Sequence, residues 1–376
     1  MPKDIMICFD GTSNHPKDAR QERSWFGLGD IEDNGITNVL KLHTLFGGNL
    51  ANEPGKVAGQ HSLYYSGVGT YGNKVQRLFN TGFASSNLDV RTIMFSAGRD
   101  LAAIYQPGDR IFMTGFSRGA AIARKFASTL DRYLALPDDS TTPGKQPIRF
   151  VGLFDTVASI GVPNLDDDDK PKSDVVFEDH TISPYIEEAL HLVSVDEKRI
   201  AFQPTLMNRD GDPDQPKRVT EVWFAGAHAD VGGGFWRDGL SDIALEFMID
   251  EIARRDLGVQ VLDPDDIDFD RLKAPDRSYE INFADVDIKP NPQAKLHYQD
   301  RWGPIAALTL GPRDVRVNGK DPETGDTPLI HNSLGQRIRQ VTEYRPMALK
   351  GIGHHSVNDD GTTEPTIQDG LRPYIM

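Results

Sequence analysis

One run of residues constrains this chain more than any other. Arg110–Thr114 (RIFMT) reads as a buried strand, runs straight into Gly115-Phe116-Ser117-Arg118-Gly119, and is followed by Ala121, Ile122, Phe126 and Leu130 at helical spacing. The spacing predicts a helix from about Gly119 to Leu136. A strand that hands over to a helix within five residues is half of a βαβ unit, which calls for a parallel sheet. G-x-S-x-G at that junction is also the pattern of a nucleophile elbow. There the serine sits on a tight, strained turn with its hydroxyl above the sheet, and glycines two residues to either side remove Cβ clashes. The backbone N–H of Arg118 then lies at a helix N-terminus, where it can help hold an oxyanion. The competing reading of Ser117 is a helix cap after a strand.

The surrounding sequence repeats the alternation. Lys3–Asp10 (KDIMICFD) and Leu63–Ser66 read as strands, and Thr37–Phe46 and Leu88–Ile104 as helices. Ile148–Phe154 (IRFVGLF) is a buried strand ending at Asp155, and Val219–Ala225 (VTEVWFA) is another that leads into GAHADVGGG. Ile186–Val195 reads as a helix, and so does Ser241–Leu257, with Ser241 as N-cap. The best later helix is Leu334–Tyr344. The expected fold class is α/β, a mostly parallel central sheet flanked by helices with loop or cap insertions. We divide the chain into a core over 1–257, with an insertion near 163–184, and a cap or C-terminal extension over 258–376. The Asp- and Pro-rich Asp263–Pro292 reads as a second insertion.

A serine nucleophile needs a base, and the base an orienting acid. Asp155 and His228 follow two further strand ends in the order Ser, Asp, His used by α/β-hydrolases, and C-terminal strand ends of a parallel sheet share one edge. Asp155 also reads as an N-cap, and His228 as a satisfied structural histidine. Competing bases are His331, His355 and His354, the last as the reserve; His191, placed in an expected helix, reads rather as a packing or capping residue. Asp10-Gly11-Thr12 ends the first strand; the N–H groups of Gly11 and Thr12 are candidates to complete the oxyanion hole, with Asp10 bracing the loop. This turn resembles the D-x-D-G-T phosphatase motif, but the position of that motif's nucleophilic aspartate holds Cys8.

No metal site stands out. His228 and Asp230 are close enough to chelate but lack partners, so Asp230 is kept as a supporting residue. Asp210, Asp212, Asp214 and Glu221 echo a calcium loop, with Gln215 where glycine is needed. Gly67–Gly72 lacks the Lys-Ser/Thr of a phosphate-binding loop, and no cofactor is expected. Net charge of −15 argues against nucleic acid. The single cysteine excludes an intramolecular disulfide. The start carries no apolar signal core, so synthesis in the cytoplasm without Sec export is the expectation.

FDGTSN (Phe9–Asn14), TNV (Thr37–Val39), YYSGVGT (Tyr64–Thr70), GDRIFMTGFSRGAAIAR (Gly108–Arg124), GLFDTVASIG (Gly152–Gly161), DEKR (Asp196–Arg199), VWFAGAHADVGGG (Val222–Gly234) and YRP (Tyr344–Pro346) occur in collinear order. Together they resemble an uncharacterised α/β-hydrolase domain family that includes the first family of type VI secretion lipase effectors. The resemblance implies an α/β-hydrolase fold and ester hydrolysis, often on phospholipids. It implies a triad in which Ser117 attacks, His228 shuttles the proton and Asp155 orients His228. It further implies a lipid or other ester substrate with peripheral membrane contact, a secretion-apparatus or immunity partner, and delivery by a dedicated secretion system. Two alternatives remain: hydrolysis of a soluble ester or amide, and a binding module that kept the fold and lost the chemistry.

Overall fold

The computed structural model describes residues 2–11, 33–67, 87–158, 182–207, 218–273, 279–298, 310–317, 327–365, 367, 370, 371 and 374. Thr12, Asp166–Asp169, Gly72 and the 210–215 acidic loop lie outside them, as does most of the insertion near 163–184.

Among the described residues eight strands form one sheet: β1 (Asp4–Phe9), β2 (Gln60–Tyr65), β3 (Arg110–Phe116), β4 (Ile148–Phe154), β5 (Ile186–Ser194), β6 (Val219–Phe224), β7 (Leu329–His331) and β8 (His355–Val357). Their order is β2-β1-β3-β4-β5-β6-β7-β8, and every neighbouring pair is parallel. Six helices matter for the site: α1 (Asn38–Leu45), α2 (Asn87–Ile104), α3 (Arg118–Ser128), α4 (His228–Gly232), α5 (Gly239–Arg254) and α6 (Asn332–Gln340).

Alternation along the strands feeds two apolar layers. Ile5, Ile7, Ile111, Met113 and Val151 pack with Val90, Leu101, Ile122 and Phe126 from α2 and α3 on one face. Met6, Cys8, Phe112, Phe150 and Leu190 pack with Val39, Leu42, Leu245 and Met248 from α1 and α5 on the other. The strand order reverses direction at β1: β2 lies on one side of it and β3 on the other. Crevices outside the carboxyl ends of strands at such a switch are where α/β sheets bind ligands. Asp10 and Ser117 follow those two strand ends.

The helix expected over Ile186–Val195 is wrong; these residues form β5, hydrogen-bonded between β4 and β6. A central parallel strand buries both faces, so its apolar run shows residues at i, i+3 and i+4 just as a buried helix does. His191 is therefore a strand residue. Ser241 is not the N-cap of α5. The helix starts at Gly239, and the Ser241 hydroxyl donates to the Asp238 carbonyl (2.9 Å) from inside the first turn. The helix expected to reach Leu136 ends as α3 at Ser128, and a short 3₁₀ turn follows at Leu130–Arg132. Strands β7 and β8, from beyond residue 258, continue the same sheet past β6.

Candidate active site

Ser117 sits between β3 and α3 at φ 58° and ψ −124°, the strained conformation that an elbow imposes on a side-chain-bearing residue. Its glycines are required by what surrounds them. A Cβ on Gly119 would lie 2.2 Å from the Phe9 carbonyl oxygen and 2.3 Å from that of Asp10, and one on Gly115 would lie 2.6 Å from Ala120 Cα. The elbow is thus pressed against the end of β1, and only glycine permits the approach. Backbone bonds lace it to the next strand end: Ser117 N–H donates to the Phe154 carbonyl (3.0 Å), and Val157 N–H to the Ser117 carbonyl (3.2 Å).

Asp155 ends β4 with φ 39° and is fully buried. Both of its carboxylate oxygens are occupied. Oδ1 accepts from Ser194 N–H (2.9 Å) and Arg313 Nη1 (2.5 Å). Oδ2 accepts from Arg313 Nη2 (2.8 Å) and pairs with His228 Nδ1 (2.6 Å). Burial pushes this carboxyl up, but the Arg313 guanidinium and His228 outweigh it and hold it well below the usual carboxylate range.

His228 is the first residue of α4, brought there by the turn after β6. Its N–H donates to Glu197 Oε2 (3.3 Å), and its ring lies 4.6 Å from the Phe116 ring and 5.1 Å from that of Phe202. Phe116 immediately precedes Ser117, so the imidazole and the elbow share one wall. Among the described residues no hydrogen bond occupies His228 Nε2, and none joins it to the Ser117 hydroxyl. Burial pushes the His228 imidazolium below its ordinary value, more strongly than Asp155 holds it up. The ring is therefore a neutral base at neutral pH, with Nδ1 donating to Asp155 and Nε2 as acceptor.

Asp10 lies at the other side of the elbow. It accepts from Gly11 N–H (2.6 Å), the Thr37 hydroxyl (2.7 Å) and the Tyr64 hydroxyl (2.5 Å), so its side chain braces the turn after β1. Asp230 is committed to partners other than His228. It accepts from Ala227 N–H (2.9 Å) and His297 N–H (3.0 Å) and pairs with His297 Nδ1 (2.5 Å). This anchors α4 to a later loop and leaves no chelating pair with His228. Among the described residues no cluster of His, Cys, Asp and Glu is placed to hold a metal. The competing histidines are held elsewhere. His331 Nδ1 meets the Ser333 hydroxyl (2.9 Å), and His354 meets the Ile352 carbonyl (3.2 Å) and the Tyr374 hydroxyl (2.9 Å).

Sequence reasoning missed Arg313 and Glu197. No local pattern marks Arg313, which is isolated in sequence from everything it touches. Glu197 lies in the DEKR segment, and its pairing with Arg199 (2.8 Å at both oxygens) gives that segment a physical reason.

The profile of the family described as "T6SS, Phospholipase effector Tle1-like, catalytic domain" matches residues 3–142 and 137–251. The chain belongs to this family. Its fold is α/β-hydrolase-like, with all of the elbow, Asp155 and His228 inside the Tle1-like match and Arg313 beyond it. An uncharacterized protein of Saccharomyces cerevisiae, YEL023C, is 29% identical over 251 residues, which is 54% of this chain and 32% of the relative. An uncharacterized Pseudomonas aeruginosa protein of known structure is 20% identical, with a TM-score of 0.43, over 78% of this chain and 49% of its own. The Tle1 effector, solved bound to the VgrG spike of the type VI secretion system, is 22% identical, with a TM-score of 0.37, over 62% and 51%. The chain thus spans a third to a half of these relatives' lengths. No helix among the described residues is long and apolar enough to cross a membrane.

Proposed function

We propose that this chain is a serine carboxylic-ester hydrolase of the lipase/phospholipase type, working through an acyl-serine. Ser117 Oγ attacks the ester carbonyl while His228 Nε2 takes its proton. Asp155 holds the ring by Nδ1 and stabilises the imidazolium as it forms. The N–H of Arg118 holds the oxyanion, and Asp10, which takes up the Gly11 N–H, braces the turn after β1. His228 then returns the proton to the departing alcohol, and water attacks the acyl-serine with His228 again as base. Family membership supports phospholipid as the substrate class. It also supports delivery by a type VI secretion apparatus, with a spike component or an immunity protein as partner. The observation that carries the reading is the 2.6 Å bond from His228 Nδ1 to a fully buried Asp155, one strand away from a serine held at φ 58°.

The test uses the full chain. A fluorophosphonate labels Ser117, seen as a mass shift on its peptide, and Ser117→Ala abolishes both labelling and short-chain ester hydrolysis. Phosphatidylcholine vesicles yield lysophospholipid. A folded Ser117→Ala protein with unchanged turnover overturns the mechanism. Good soluble-ester turnover without lysolipid restricts the substrate to soluble esters.

A further inference from the structure

Among the described residues, Arg313 is the charged group that reaches Asp155 from beyond residue 251, where the family match ends. Its side chain and that of Asp155 are both completely buried. A buried ion pair is stabilising only when geometry is good and the leftover donors are used. Here the fork spans both carboxylate oxygens, and the same two nitrogens also donate to the Ser194 carbonyl (3.1 Å) and the Phe202 carbonyl (2.6 Å), while Nε has no hydrogen-bond partner among the described residues. The segment carrying it is pinned close by. Leu310 forms an antiparallel bridge with Arg199, and Gly311 N–H donates to the Lys198 carbonyl (2.7 Å). Asp155 Oδ2 is consequently divided between a guanidinium and the imidazole of His228.

We propose that Arg313 is a positioning residue for the Asp155–His228 pair: it fixes the carboxylate in the plane that meets His228 Nδ1 and takes a share of its charge. This rests on the triad reading above. Among the described residues the charged groups around His228 are few. They are Asp155 with Arg313 behind it, Glu197 at its backbone N–H with Arg199 paired to Glu197, and Asp230 on its own helix, itself committed to His297. Of these, Arg313 alone acts on the imidazole through the orienting oxygen. Without it, the full carboxylate charge falls on His228, the imidazolium is held more strongly, and the ring becomes a base only at higher pH. If burial instead protonates Asp155 once the guanidinium is gone, the pair again takes up its proton at higher pH. Both routes move the acid limb of activity in one direction, and a merely structural role would leave that limb in place. The part of the chain outside the matched catalytic region thereby completes the catalytic apparatus.

The experiment measures kcat and KM for a short-chain p-nitrophenyl ester from acid to mildly alkaline pH. It uses the full chain and the variants Arg313→Met, Arg313→Lys and Ser117→Ala, with folding checked by circular dichroism. Arg313→Met is expected to lose on the order of tenfold to a hundredfold in kcat, with KM changed less than about threefold and the acid limb moved to higher pH. Arg313→Lys keeps the charge but not the fork, and is expected to lose kcat with a smaller displacement of the limb. A folded Arg313→Met with parent-like kcat and a superimposed limb overturns the proposal. If Arg313→Met does not fold, parent-like kcat in Arg313→Lys overturns it instead. Inactive Ser117→Ala beside parent-like Arg313 variants defeats the clamp alone, whereas active Ser117→Ala defeats the triad reading and the clamp with it.

Discussion

His228 and His191 are both buried, each holds a carboxylate by Nδ1, and they differ in the other ring nitrogen. His228 Nδ1 meets Asp155 at 2.6 Å, and His191 Nδ1 meets Glu221 at 2.9 Å. His191 Nε2 accepts the Thr156 N–H (3.0 Å), which fixes its tautomer and uses up the ring. His228 Nε2 has no such bond among the described residues. His43, His297 and His354 resemble His191, with both nitrogens bonded. A buried histidine whose two nitrogens are both spent is part of the framework. One with a nitrogen left over, beside a strained serine, is equipped to accept a proton. The two regions are also linked, because Thr156 follows Asp155, so His191 holds the turn from which Asp155 projects.

The sharpest way to break this contrast is to remove each ring. His228→Asn should lower kcat by about 10⁴-fold while the protein stays folded, because Asp155 keeps Arg313 as its partner. Steady-state ester hydrolysis and a thermal melt check both halves. His191→Leu should do the reverse in emphasis. It leaves Thr156 N–H without its acceptor and Glu221 without the imidazole, at a cost of about 1–3 kcal/mol of stability by denaturant titration. Its kcat should fall only about tenfold, through loosening of the Asp155 turn. If His191→Leu abolished fluorophosphonate labelling while His228→Asn kept it, the division of labour would be the wrong way round.

What the sequence disclosed about this region follows the range of the interactions. The elbow was legible because its constraints are local: a strand, a five-residue turn and a helix, with glycines at the two positions where neighbouring backbone leaves no room for Cβ. Asp155 and His228 could be named because strand ends converge in a parallel sheet. Their mutual bond was not visible, since it depends on how the turns after β4 and β6 aim their first residues. His191 was placed in a helix because a doubly buried strand imitates helical spacing, and with the wrong element its partner Glu221, on the neighbouring β6, could not be seen. Arg313 had no signal at all. A residue that acts across the fold, from a segment without periodic pattern, leaves no trace in its own neighbourhood.

The smallest effect separates the two histidines by pH. Burial lowers the His228 imidazolium below its ordinary value of 6.5, with Asp155 only partly opposing it. A depressed value keeps the ring unprotonated, and able to accept the Ser117 proton, at pH values where an ordinary histidine is already charged. The acid limb of kcat/KM should therefore reach half its plateau below pH 6.5 in steady-state assays. Because this limb belongs to the free enzyme, it reports His228 before substrate covers it. His191→Leu should leave the limb where it is, since that ring never touches the proton in flight. A half-plateau above 6.5 in the parent chain would mean that attraction to Asp155 outweighs burial. The carboxylate would then be less neutralised by Arg313 than two short hydrogen bonds imply.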